Sequence, residues 1–98
     1  MLRHILLLQQ RPETTDAELN ACRAGLASLV GTIAGLVDFH WGANIGPLER
    51  QGGFTHGFSM DFADRASLDA YGPHPLHVPI AARVRALFDR IVVFDFEL

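Results

Sequence analysis

The apolar residues of this chain recur with two different periods, and the switches between them mark its elements. Phe54, His56, Phe58, Met60 and Phe62 fall on alternate positions, with Thr55, Gly57, Ser59 and Asp61 between them. A two-residue period is that of a strand, so four large apolar side chains and one imidazole share a face. That face belongs under a layer of helix, and its imidazole needs either a hydrogen-bond partner or a cavity. Leu2–Gln10 is a second strand, with His4, Leu6 and Leu8 on one side and Ile5, Leu7 and Gln9 on the other. Both sides are largely apolar, as in a central strand covered on both faces. Leu36–Ile45 alternates Val37, Phe39, Trp41, Ala43 and Ile45 with Asp38, His40, Gly42 and Asn44. Arg90–Leu98 closes the chain as a fourth strand, Ile91, Val93 and Asp95 opposing Val92, Phe94, Phe96 and Leu98.

Between the strands the period lengthens. Thr15-Asp16-Ala17-Glu18 has the spacing of a capping box, and Leu19, Cys22, Leu26, Leu29, Val30 and Ile33 follow at helical spacing up to the Gly31 and Gly35 region. Gly46–Gly53 reads as a loop. Asp64 caps a short helix carrying Leu68 and Tyr71, which Gly72-Pro73 breaks. A further helix begins near Pro75, with Ile80, Val84, Leu87 and Phe88 as its apolar face. The order is βαββαβ, which predicts an α+β, ferredoxin-like subunit: a four-stranded antiparallel sheet with the helices on one face. The other face is then bare but rich in Phe and Val. A soluble monomer rarely exposes such a surface, so a second copy is expected to cover it, sheet against sheet, in a two-fold homodimer.

Composition narrows the function classes. Ninety-eight residues make one domain, residues 1–98, and 49% of them are hydrophobic, enough for a core. The net charge is −3, and the 8 Lys and Arg are scattered, which argues against nucleic acid or an anionic membrane as partner. The apolar run Ile5–Leu8 is too short for a signal peptide or a membrane span, so the cytoplasm is the expected location. Cys22, the one cysteine, lies on an apolar helical stripe and reads as core. No cofactor motif stands out.

The segment Tyr71-Gly-Pro-His74-Pro-Leu-His77 packs a phenol and two imidazoles into seven residues. His74 is expected at the helix cap and His77 just inside the helix, with His56 reaching the same region from the strand beneath. Imidazoles titrate near neutral pH, and a phenol donates a hydrogen bond to a carbonyl or enolate oxygen, so the set suits proton transfer. The bland alternative is that each ring is a satisfied core or cap residue. A metal held by His56, His74 and His77 lacks an evident fourth ligand, and no metal is expected. His4, on the face of Leu6 and Leu8, either joins the cavity or is a satisfied core residue.

Several of these segments carry a resemblance: Arg3–Leu8, Phe39-His-Trp-Gly42, Gly53-Phe-Thr-His56, Tyr71-x-x-His74-Pro-x-His77 and Val93-Phe-Asp-Phe96. In their order and spacing the chain resembles the stress-responsive A/B barrel (Dabb) family. The resemblance implies a ferredoxin-like subunit whose sheet pairs with that of a second copy to close a barrel. Plant polyketide cyclases of the family use a strand histidine and the second histidine of the His-Pro-x-His segment for an aldol-type ring closure. The matching residues here are His56 and His77, with Tyr71 as the tyrosine ahead of that segment. Where those cyclases have a tyrosine on the first helix, this chain has Leu26. The function expected is therefore binding of a small hydrophobic or aromatic molecule in a cavity between sheet and helices. His77 would be the general acid or base, His56 and Tyr71 would stabilise an oxyanion, and His4, His74, Phe54, Phe58 and Leu26 would line the site. Two alternatives stand beside it: a non-enzymatic stress-related or structural protein, and cofactor-free monooxygenase-like chemistry.

Overall fold

The structure is a computed structural model describing all residues 1–98. Strand β1 (Leu2–Gln10) leads to helix α1 (Asp16–Ala27), strand β2 (Leu36–Ala43), a 3-10 turn at Leu48–Arg50 and strand β3 (His56–Phe62). Helices α2 (Arg65–Tyr71) and α3 (Val78–Leu87) precede strand β4 (Phe88–Glu97). The sheet is antiparallel in the order β2-β3-β1-β4, the ferredoxin-like arrangement, with β1 and β3 at its centre.

Cross-strand partners in such a sheet point to the same side, so the register sorts the side chains into rows. On the helix side one row is Phe39, Met60, His4 and Asp95, the next Trp41, Phe58, Leu6 and Val93, and the third Ala43, His56, Leu8 and Ile91. On the open side the rows are His40, Ser59, Ile5 and Phe94, then Gly42, Gly57, Leu7 and Val92. Leu8, Met60 and Phe62 are fully buried under α1 and α3, together with Leu26, Val84 and Leu87. The open side carries exposed apolar residues, Phe94 at 61% and Val92 at 42% among them. Among its polar features is a bidentate pair from the Arg3 guanidinium to the Asp61 carboxylate, at 2.8 and 3.0 Å.

Element boundaries differ from the periodicity in five places. The capping box forms as its spacing requires, Glu18 N–H donating to Thr15 Oγ1 and Thr15 N–H donating to Glu18 Oε1. Helix α1 nonetheless ends at Ala27, and Leu29 and Ile33 enter the core from a run of turns instead. Gly35 closes that run with φ 83°. A Cβ there would collide with Ser67, so this position requires glycine for both backbone and space. Strand β2 stops at Ala43, short of Ile45, and β3 begins at His56, so Phe54 lies in the preceding loop. Helix α3 starts at Val78 rather than near Pro75, with Pro79 in its first turn, where its missing N–H costs nothing. Phe88, expected on that helix, pairs with Gln10 and opens β4.

Candidate functional site

The register that builds the sheet also decides which histidines meet. His4 pairs with Met60, and His56 pairs with Leu8, four residues further along β1. At about 3.4 Å per residue the two imidazoles stand near opposite ends of the helix-covered face. His4 opens onto a cavity of about 430 Å³ between the sheet and helices α2 and α3. Its floor is Leu6, Phe58, Ile91 and Val93 from the strands, and its sides are Leu26, Leu68, Ala81 and Val84 from the helices. Tyr71, Gly72, His77 and Arg85 complete the wall.

The break between α2 and α3 places two of the polar groups. Tyr71 is the last residue of α2, and His77 is the N-cap of α3. The turn between them folds the two rings together, with centroids 3.9 Å apart and planes inclined by 32°. The His77 Nδ1 lies 3.0 Å from the Gly72 carbonyl oxygen, and since a carbonyl only accepts, Nδ1–H donates. That bond fixes the tautomer and leaves Nε2 as the free acceptor. Burial holds the His77 imidazole below its ordinary pKa, opposed by the bond to Gly72 and reinforced by the charges of His4 and Arg85. The neutral ring with a free Nε2 is thus the favoured form. Tyr71 is 3% exposed, and burial alone pushes its phenol up, with no hydrogen bond contributing. Its hydroxyl therefore stays protonated and available as a donor.

His4 is held from behind. Its Nδ1 lies 2.5 Å from Asp95 Oδ1, across the β1–β4 rung that pairs the two residues. An ionised carboxylate is an acceptor only, so Nδ1–H donates to it and Nε2 is left for the cavity. The His4 ring lies edge-on to Tyr71, centroids 6.3 Å apart, and to Phe62 at 6.2 Å. One end of the cavity therefore carries two imidazoles with defined tautomers and one phenol without a partner. The other walls are apolar.

Of the residues singled out in the sequence, His77, Tyr71, His4, Phe58 and Leu26 meet at this cavity. His56, His74 and Phe54 do not. His56 bonds through Nδ1 to Thr55 Oγ1 at 3.0 Å and packs between Trp41 and Phe88, where burial lowers its pKa. Its displacement follows from the antiparallel register, which sets it opposite Leu8 instead of His4. His74 accepts a hydrogen bond at Nδ1 from the Leu76 N–H and so caps the turn before α3. Phe54 lies beneath the Arg90 guanidinium, 4.4 Å from ring centroid to cation. A three-histidine metal cluster of His56, His74 and His77 has no geometric basis, because the three rings face different surroundings. Arg85 is not singled out by the sequence, and Asp95, which reads there with Glu97 as strand-end solvation or a contact across the dimer, is instead set against His4. The signal for Asp95 is its place, with Glu97, on the Ile91–Val93 face of an edge strand; Arg85 has none beyond its place two turns after His77.

Comparison with known proteins gives a consistent picture. The profile of the Stress Responsive A/B Barrel Domain family matches residues 2–98. A stress-response A/B barrel domain-containing protein of Arabidopsis thaliana is 35% identical over 98% of this chain and 85% of its own length. The olivetolic acid cyclase of Cannabis sativa is 24% identical over 97% of this chain and 94% of its own. Among solved structures, a dimeric ferredoxin-like protein of unknown function from Jannaschia sp. superposes with a TM-score of 0.88 at 30% identity, covering 99% of this chain and 98% of that one.

Proposed function

This chain belongs to the stress-responsive A/B barrel family, and we propose that it binds a small hydrophobic or aromatic carbonyl compound and moves a proton on it. The observation that carries this reading is the convergence of His77 Nε2, the unpartnered Tyr71 hydroxyl and His4 on one end of an apolar cavity of about 430 Å³. Pockets of that size, mostly apolar with a few convergent polar groups, are the usual form of small-molecule sites. The neutral His77 removes a proton from a carbon next to the carbonyl through Nε2. The C–H electron pair passes into an enolate whose oxygen accepts a hydrogen bond from the Tyr71 hydroxyl. His77 Nε2 holds that proton and returns it to carbon or oxygen in a later step, while His4, oriented by Asp95, presents its free Nε2 to the same end of the cavity as a hydrogen-bond acceptor. This chemistry underlies both ring closure and lyase reactions, and the similarity to a cyclase supports it.

The test is hydrogen–deuterium exchange at the methyl group of 2-acetonaphthone in D₂O, followed by proton NMR. Protein-dependent exchange that is lost in His77→Ala, with the fold intact by circular dichroism, is expected. Exchange no faster than in buffer, or unchanged in His77→Ala, overturns the catalytic part.

The working unit in this reading is a homodimer formed through the open sheet face, which the dimeric solved relative supports. The face is self-complementary. Val92, Phe94 and Phe96 form a ridge on the β1–β4 side, while the cross-strand pair Gly42 and Gly57 leaves a hollow of about 270 Å³ on the β2–β3 side. A two-fold axis parallel to the strands lays each ridge over the other copy's hollow.

A further inference from the structure

We infer that the preferred ligand carries an anionic group, a carboxylate, at the end that lies against Arg85. The inference rests on the ligand-binding reading above and adds the ligand's charge and direction. Arg85 lines the cavity but is exposed, so it stands at the mouth rather than on the floor. Its guanidinium enters none of the ion pairs in the structure, which join Arg3 to Asp61, His4 to Asp95, Arg11 to Asp89, His40 to Asp38 and Arg65 to Asp69.

The bland role for an arginine in the last turn of a helix is to neutralise the carbonyls at the helix end. At α3 other donors already do this. Arg11 Nη2 donates to the Arg85 carbonyl oxygen at 3.3 Å. Arg11 N–H and the Thr14 hydroxyl both donate to the Leu87 carbonyl oxygen, at 3.1 and 2.8 Å. The Phe88 N–H donates to the Val84 carbonyl oxygen. The Arg85 side chain is therefore not needed there.

The charge balance of the cavity points the same way. His4, His77 and Arg85 are all neutral or cationic, no carboxylate lines the cavity, and Asp95 behind His4 and Asp89 beyond Arg85 are already paired, with His4 and Arg11. The Arg85 charge is also felt at His77, which places both in one electrostatic environment. A guanidinium beside an apolar space offers two parallel N–H donors, the geometry that a carboxylate fits. Eight residues separate His77 from Arg85, or about 12 Å of helix. The ligand is thus elongated: its reacting carbon lies at Tyr71 and His77, its apolar body over Leu6 and Phe58, and its anionic end at Arg85.

Binding of 2-naphthoate and of its neutral counterpart 2-naphthalenemethanol, measured by calorimetry at pH 7 and low salt, tests this. Wild-type protein is expected to bind the carboxylate about tenfold more tightly than the alcohol, the size of one charge-assisted contact. Arg85→Gln should remove that difference, Arg85→Lys should keep part of it, and added salt should shrink it in the wild type. Equal affinity of the two ligands in the wild type, or a preference that survives in Arg85→Gln, overturns the inference while leaving the apolar cavity as a binding site. If neither ligand binds, the binding reading falls and this inference with it.

Discussion

His4 on β1 and Asp95 on β4 share one rung of the sheet, and the imidazole Nδ1 lies 2.5 Å from the carboxylate. The strand pairing itself thus sets the histidine's orientation, and Asp95 acts through His4 rather than on a ligand. In Asp95→Asn the new side chain offers an amide that both donates and accepts, so the preference for Nδ1–H on His4 is lost. Nitrogen-15 NMR of the side chains should show His4 protonated at Nδ1 in the wild type and a mixture of tautomers in the variant. The same tautomer in both would show that Asp95 does not set it.

The pH dependence follows from the lowered pKa of His77 and His56. For a histidine whose folded pKa lies below its unfolded value, the unfolded state binds more protons between the two. Stability therefore falls as the pH drops through the ordinary imidazole value, about 6.5, toward the folded value. Both rings should titrate below free histidine by NMR, and thermal stability should decline from pH 7 toward pH 5. His56→Gln should make that decline shallower. Titration of His77 at or above the free value would remove the neutral base from the mechanism. Proton exchange should weaken over the same acid limb, as Nε2 becomes occupied.

The homodimer depends on ridge and hollow alike. Phe94→Asp places a charge on the exposed apolar ridge and is expected to give monomers in sedimentation velocity at micromolar protein. Gly42→Val should act from the other side. A Cβ at Gly42 meets nothing within 4 Å in the single chain, so the added side chain fills only the hollow. Dimers persisting in both variants would place the interface elsewhere.

Leu26 tests whether the cavity wall and the core are one structure. It is 1% exposed on α1 and also lines the cavity. Leu26→Ala should cost about 2–5 kcal/mol in urea unfolding, the range for a buried leucine. The protein that remains folded should still bind 2-naphthalenemethanol, because the change widens the cavity. A cost under about 1 kcal/mol would mean the wall there is not packed as core.

How far the sequence alone reaches is clearest from the histidines. Alternation places each on a face, and parity puts His4 with Leu6 and Leu8 and His56 with Phe58 and Met60. Parity says nothing about register along the strand, and it is register that separates His56 from His4 by four residues of β1. The Tyr71–His77 stack was legible because a proline-broken helix pair forces the two into one turn. The start of α3 was not, since Pro75 and Pro79 both suit a first-turn position. Phe88 fits a helical face equally well, and only its pairing with Gln10 draws it into β4. Arg85 gave no signal, because an arginine near a helix C-terminus has an ordinary explanation that only the hydrogen bonds of Arg11 and Thr14 remove.

The most direct test of the central claim is an NMR titration with 2-naphthalenemethanol that follows the side-chain signals of Tyr71 and all five histidines. His4, Tyr71 and His77 are expected to shift together and saturably, while His56, His40 and His74 hold still. Saturable shifts centred on His56, or no shift at the Tyr71–His77 pair, would contradict it.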